Sequence, residues 1–262
     1  MVKNKRILQI IFVSILVSFS LANSIINNDS LSNAEQVNSV KQKSIKTVKD
    51  YKDFISSMKE GISLGNYNLA IALGALYMQN IHLKDGTEKA NLKLSKKYFR
   101  LAFNKGYGLA AFYLSIIENK EEAIKDIKNA LFMKYTTEPI RELLAIRYAE
   151  IILNTSLYNN KRLVKIAIKN IAPISYHSNN PILDFQLAHL YYINKQINLA
   201  NKFINSACNN PKADKKLLAM CINDPYLQTR DKNGNLVNKT SVIKDTTTPF
   251  NSACMQRYSY GK

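Results

Sequence analysis

The chain has 262 residues, enough for one or two ordinary domains with a sizeable core. Its 37 Lys and Arg against 19 Asp and Glu give a formal charge of +18, yet only seven of the basic residues are arginine. No compact basic block or aromatic-basic ladder occurs, which argues against nucleic-acid binding and leaves weak attraction to an anionic envelope or membrane surface.

In chain order, Lys3, Lys5 and Arg6 precede an apolar run from Ile7 to Phe19, closed by Ser20-Leu21-Ala22. A basic start, a short apolar middle and small residues before a cut are the layout of a secretory signal peptide over residues 1–22. The alternative is a retained anchor helix, but the run falls short of the ~20 residues that a bilayer span needs. Cleavage after Ala22 lowers the formal charge from +18 to +15, because three basic and no acidic residues leave with it. No later segment is apolar enough to span a membrane. Residues 23–47 are rich in Ser and Asn and read as a flexible leader. Residues 48–64 have the spacing of an amphipathic helix.

From there to residue 222 the apolar residues recur with a helical period, broken by polar turns. Leu187, Ala188 and Tyr191 are followed by Ala200, Ile204 and Ala207 across the polar Asn194-Lys195-Gln196. Ala110, Ala111 and Leu114, then Ala123, Ile127 and Ala130, repeat that spacing. Two further copies have a longer connection: Leu73, Gly74 and Tyr77 with Ser95, Phe99 and Ala102, and Leu144, Ala145 and Tyr148 with Val164, Ile168 and Ile171. A last half-copy is Leu217, Leu218 and Cys221. Small side chains let two helices approach, and a large one a turn away fills the seam, so the pattern predicts helical hairpins.

These positions match those of a tetratricopeptide repeat. "AIALGALYMQN", "KDGTEKA" and "KKYFRLAFNKGYGLA" resemble the related Sel-one-like repeat over residues 66–115. The resemblance implies an all-α fold, a right-handed α-solenoid of stacked antiparallel helix pairs across residues 48–222, with terminal helices closing its ends. It also implies a concave groove lined by the first helix of each pair. Carried onto this chain, the groove positions are Met78 and Gln79, Phe112 and Ser115, Glu142 and Ile146, and Gln186, His189 and Tyr192. Phe112, Ile146 and Tyr192 form an apolar strip if exposed and core if they pack on a neighbouring helix.

Asn210-Pro211 reads as the cap of the final helix, with proline at the first position. Residues 223–262 form a capping tail, irregular except for a small β-hairpin at Asn233-Gly234. The cysteines are Cys208, Cys221 and Cys254, which in an exported chain suggests one disulfide. With Cys221 about three turns into its helix, it would lie roughly 10 Å from Cys208 at 1.5 Å per residue. A disulfide needs Cα atoms within about 7 Å, which favours Cys254 paired with Cys208 or Cys221. A looser turn at 209–212 would permit Cys208–Cys221.

Catalytic material is scarce. His82, His177 and His189 are far apart and none belongs to a paired metal motif, so no metal or cofactor is expected. "DKNGN" at 231–235 has its glycine too early for a calcium loop, and Asn238-Lys239-Thr240 fits a glycosylation acceptor. The cysteine pairs of the β-lactam-acting relatives are missing from the first three copies. The expectation is therefore an exported, periplasmic or secreted, non-catalytic scaffold that binds a protein or peptide. The alternatives are a secreted β-lactam- or peptidoglycan-acting enzyme and a basic binder of anionic envelope polymers.

Overall fold

The computed structural model describes residues 45–223. The signal segment, nearly all of the leader, the hairpin expected at Asn233-Gly234, the Asn238 triplet and Cys254 lie outside the described residues. Among the described residues there are ten α-helices: α1 (Val48–Ser63), α2 (Asn68–Tyr77), α3 (Leu92–Asn104), α4 (Leu109–Ile117), α5 (Lys120–Ala130), α6 (Glu138–Leu153), α7 (Lys161–Ser178), α8 (Pro181–Ile193), α9 (Ile197–Cys208) and α10 (Lys215–Asn223). They form two compact units, divided after Ile117. The division falls inside the second of the copies expected from the sequence.

The all-α class holds. Of the residues in the expected repeat pattern, Leu73, Ser95, Phe99, Ala102, Ala110, Ala111, Leu114, Ala123, Ile127 and Ala130 are fully buried. So are Leu144, Ala145, Tyr148, Val164, Ile171, Leu187, Ala188, Ala200, Ile204 and Ala207. Tyr77 is only half-buried, and Leu218 of the last half-copy is exposed.

In the first unit α2 packs on α1 and α3, and α4 packs on both α2 and α3. Thr47 starts α1 with a capping box: its hydroxyl accepts from the Asp50 N–H, and the Asp50 carboxylate accepts from the Thr47 N–H. α1 and α3 end alike. Gly65 and Gly106 take left-handed φ of 97° and 90°, which lets the chain turn into α2 and α4. Each turn then presents a tyrosine, and the Tyr67 and Tyr107 rings meet at 6.3 Å.

A β-hairpin stands where the sequence shows only a long connection. β1 (Ile81–Leu83) and β2 (Gly86–Glu88) pair antiparallel, with Ile81 opposite Glu88 and Leu83 opposite Gly86. The turn Lys84-Asp85 is tied to the start of α1. The Val48 N–H donates to Asp85 Oδ1 at 2.8 Å, and the Lys84 N–H donates to the Lys46 carbonyl at 3.0 Å. The extra length thus forms a clasp on the amino end of α1.

In the second unit α5 packs on α6, α7 on α6 and α8, and α9 on α8 and α10; α6 also packs on α8. A 3-10 turn (Ser156–Asn159) fills the long connection between α6 and α7. α8 is the centre, with eleven of its thirteen residues buried. It is apolar around most of its circumference, the mark of a helix surrounded by protein. Its buried polar residues are Asp184, Gln186 and His189, and Asp184 is satisfied: its carboxylate accepts from Ser175 Oγ on α7 and from Ser206 Oγ on α9 at 2.7 Å. One buried acid therefore ties three helices together.

Burial pushes the Tyr148 hydroxyl up to about 12, with Asn170 beside it working the other way. Its folded value lies above the ordinary one near 10, so the unfolded chain loses this proton first. The contribution of Tyr148 to stability should be constant below pH ~10 and be lost as pH rises towards ~12. Tyr148→Phe should flatten that slope in urea unfolding followed across the alkaline range. An unchanged slope would mean another group is responsible.

The cysteine pairing corrects the expectation. Cys208 and Cys221 are joined, with Cα atoms 5.9 Å apart, so Cys254 is not their partner. The error lay in where the last helix begins. Asn210-Pro211 does not cap it; Asp214 does, its Oδ1 accepting from the Leu217 N–H at 2.7 Å. α10 starts at Lys215, which puts Cys221 under two turns in rather than three. The looser turn brings the sulfurs together.

Candidate functional site

Two Asn-Asn-Pro sequences meet in the second unit. Asn179-Asn180-Pro181 links α7 to α8, and Asn209-Asn210-Pro211 follows α9. Each is a turn for a stated reason. Asn179 takes the left-handed conformation, φ 48°, that asparagine tolerates at a helix end. Asn180 caps α8, its Oδ1 accepting from the Ile182 and Leu183 N–H groups at 3.1 and 3.3 Å, with Pro181 at the first helical position. Asn210 closes its own turn by accepting from the Lys212 N–H at 2.9 Å. The turns then join: Asn210 Nδ2 donates to Asn179 Oδ1 at 2.8 Å.

Beside this junction lies an open cleft of about 290 Å³, the size of a small-ligand site or a few peptide residues. Glu142 of α6, Asn179, Asn180, Lys212 and Asp214 supply its polar wall, and Ile182 and Leu217 its apolar part. Glu142 is held in place by Asn180, whose Nδ2 donates to its Oε2 at 3.2 Å. The lining offers two carboxylates, an ammonium and side-chain amides. Such a set accepts and donates hydrogen bonds to a polar chain and binds charge of either sign. The disulfide flanks it, because Cys208 and Cys221 bracket the turn that carries Lys212 and Asp214.

Of the groove residues expected from the sequence, Glu142 alone lines this cleft. Ile146, a turn further along α6, is half-buried. Gln186, His189 and Tyr192 are buried, at 6%, 2% and 8% exposure, and Gln186 borders a narrow second pocket with Phe185 and Met220. His189 Nδ1 donates to the Phe185 carbonyl at 2.7 Å and its ring packs 4.5 Å from that of Phe185. The Tyr192 hydroxyl donates to Asn201 Oδ1 on α9. The reason is the position of α8: with α6, α7 and α9 around it, the face expected to meet a ligand meets helices instead.

In the first unit Met78 and Gln79 fall just past the end of α2 and are half-buried, and Gln79 Nε2 donates to the Ala75 carbonyl at 3.1 Å. Phe112 is half-buried, edge-on to Tyr113. Ser115 is buried and donates to the Phe112 carbonyl at 2.6 Å. His82 is exposed on β1 beside Thr87 Oγ1, and His177 is exposed near the end of α7. Among the described residues no three His, Cys, Asp or Glu side chains are grouped to hold a metal ion. No described helix is long and apolar enough to cross a membrane.

Asn179, Asn180, Lys212 and Asp214 were not singled out in the sequence. The recurrence of Asn-Asn-Pro 30 residues apart was the available signal. No family model matches this chain, and no curated protein or solved structure matches it.

Proposed function

We propose that this chain is an exported, non-catalytic helical-repeat scaffold that holds a peptide segment of a partner protein in the cleft of its second unit. The export reading draws on the basic-apolar start of the sequence and on a cysteine pair placed for a disulfide, which persists in an oxidising compartment. The repeat reading draws on the burial of the small and large residues that define each copy. A right-handed solenoid is the arrangement this family resemblance favours.

The cleft carries the binding proposal. Its turns are fixed before any ligand arrives, by the Asn210–Asn179 bond, the Asn180–Glu142 bond and the disulfide. A preformed site loses little conformational freedom on binding, which is where much of the affinity of small contact areas is otherwise lost. A peptide would give its N–H groups to the Glu142 and Asp214 carboxylates. Its carbonyls would accept from Lys212 and the Asn179 amide, and an apolar side chain would cover Ile182 and Leu217.

Peptide display against the disulfide-intact chain tests this. Selection should converge on related sequences, and Glu142→Gln and Lys212→Ala should each weaken the selected peptide about tenfold, near 1.4 kcal/mol. Neither change removes a helix cap, so the fold should survive both. Failure to converge, or affinity indifferent to both substitutions, would remove the cleft as the binding site.

A further inference from the structure

The loop between α5 and α6 displays aromatic side chains to solvent on a rigid frame. Leu131 and Thr136 anchor it, at 1% and 4% exposure. The Thr136 hydroxyl donates to the Ala130 carbonyl at 2.8 Å, and Arg141 Nε donates to the Leu131 carbonyl at 3.1 Å. Between the anchors the Phe132 N–H donates to Asn129 O at 3.2 Å and the Thr136 N–H to Met133 O at 3.2 Å. Yet Phe132 is 72% exposed and Tyr135 45%. A loop held this tightly could turn a phenylalanine inward, and this one turns it out.

One ring has a cation beside it. Lys134 is exposed, with Nζ 5.0 Å from the centre of the Tyr135 ring. Lys125 and Lys128, three residues apart on α5, are exposed as well. Of the acids in the same stretch, Asp126 is buried and Glu138 is paired with Arg141, while Glu121 and Glu122 are exposed in the first turn of α5, at the end away from the loop. Aromatic rings flanked by lysine are the composition that settles at the boundary between lipid headgroups and acyl chains.

We propose that this loop is a membrane-interface anchor: Phe132 and Tyr135 enter the headgroup region of an anionic lipid surface while Lys125, Lys128 and Lys134 pair with its phosphates. The basic excess of the whole chain, +18, then has a local use. The proposal is independent of the cleft.

The sequence contains no tryptophan, so Phe132→Trp places a lone reporter at the point of entry. Mixed with vesicles of about one-third anionic phospholipid, its emission should shift to the blue, and it should not shift with zwitterionic vesicles. Raising salt to ~0.5 M, where screening acts within a few ångströms, should reverse the shift. Phe132→Ser with Tyr135→Ser, and separately Lys125→Glu with Lys128→Glu, should each reduce vesicle binding at least tenfold. Vesicle binding without a spectral shift would mean that another part of the chain makes the contact, and would overturn the proposal. No binding, or full binding by the double serine variant, would overturn it equally.

Discussion

Gly74→Ala should destabilise the first unit, although alanine is the better helix former. In an exposed helix the exchange gains up to about 1 kcal/mol. Here a Cβ on Gly74 would stand 2.6 and 2.7 Å from Cε1 and Cδ1 of Phe99, distances that side chains do not tolerate. Phe99 has no room to retreat: it is fully buried and stacked on Tyr113 at 4.9 Å. Overpacking of this kind costs about 1–3 kcal/mol, so the net change is a loss of about 1 kcal/mol for alanine. Gly74→Val adds two methyl groups and a poorer helix former, and the loss should approach 3 kcal/mol. Urea unfolding followed by circular dichroism measures both. Phe99→Leu should recover part of the loss by vacating the clash. A stabilised Gly74→Ala protein would mean that α2 and α3 do not approach as described.

Removing the disulfide should have an effect of similar size on the second unit. Cys208 and Cys221 are separated by 13 positions, and closing a loop of that length restricts the unfolded chain by about 3 kcal/mol. Cys208→Ser with Cys221→Ser should lower stability by about that amount, and so should reduction of the native chain. Cys254→Ser should leave the loss on reduction unchanged. Peptide mapping without reductant should recover residues 208 and 221 in one linked fragment. Recovery of Cys254 linked to either would contradict the pairing. Because the crosslink brackets the turn bearing Lys212 and Asp214, reduction should also weaken any cleft ligand.

The helices were legible because close packing leaves a mark on residue size. Ala188, Ala200 and Ala207, or Ala123 and Ala130, are small where two axes converge, and that requirement is written locally. The hairpin at 81–88 was not read, because what holds it is the contact of Lys84 and Asp85 with the start of α1, distant in sequence. The start of α10 was misplaced for a related reason. Asn210-Pro211 has the chemistry of a helix cap, but Asn210 is spent on Lys212 and on Asn179, and Asp214 takes the role.

The cleft was the least legible part. Family positions placed ligand contacts along the first helix of each pair, and for α8 that face is filled. An all-round apolar stretch, "PILDFQLAHLYYI", was itself the sign that the helix has no free side. The cleft depends instead on two turns lying side by side, and periodicity along one segment carries no information about that.

The buried state of α8 also has a bearing on the order of events at the ribosome. Chain synthesis delivers α6, α7 and α8 before α9, so for a time the Tyr191 and Leu187 side of α8 has nothing to rest on. Asp184 then lacks Ser206 and keeps only Ser175. The second unit can close only once residues 197–208 have emerged, and until then it offers a greasy ledge to whatever attends nascent polypeptides.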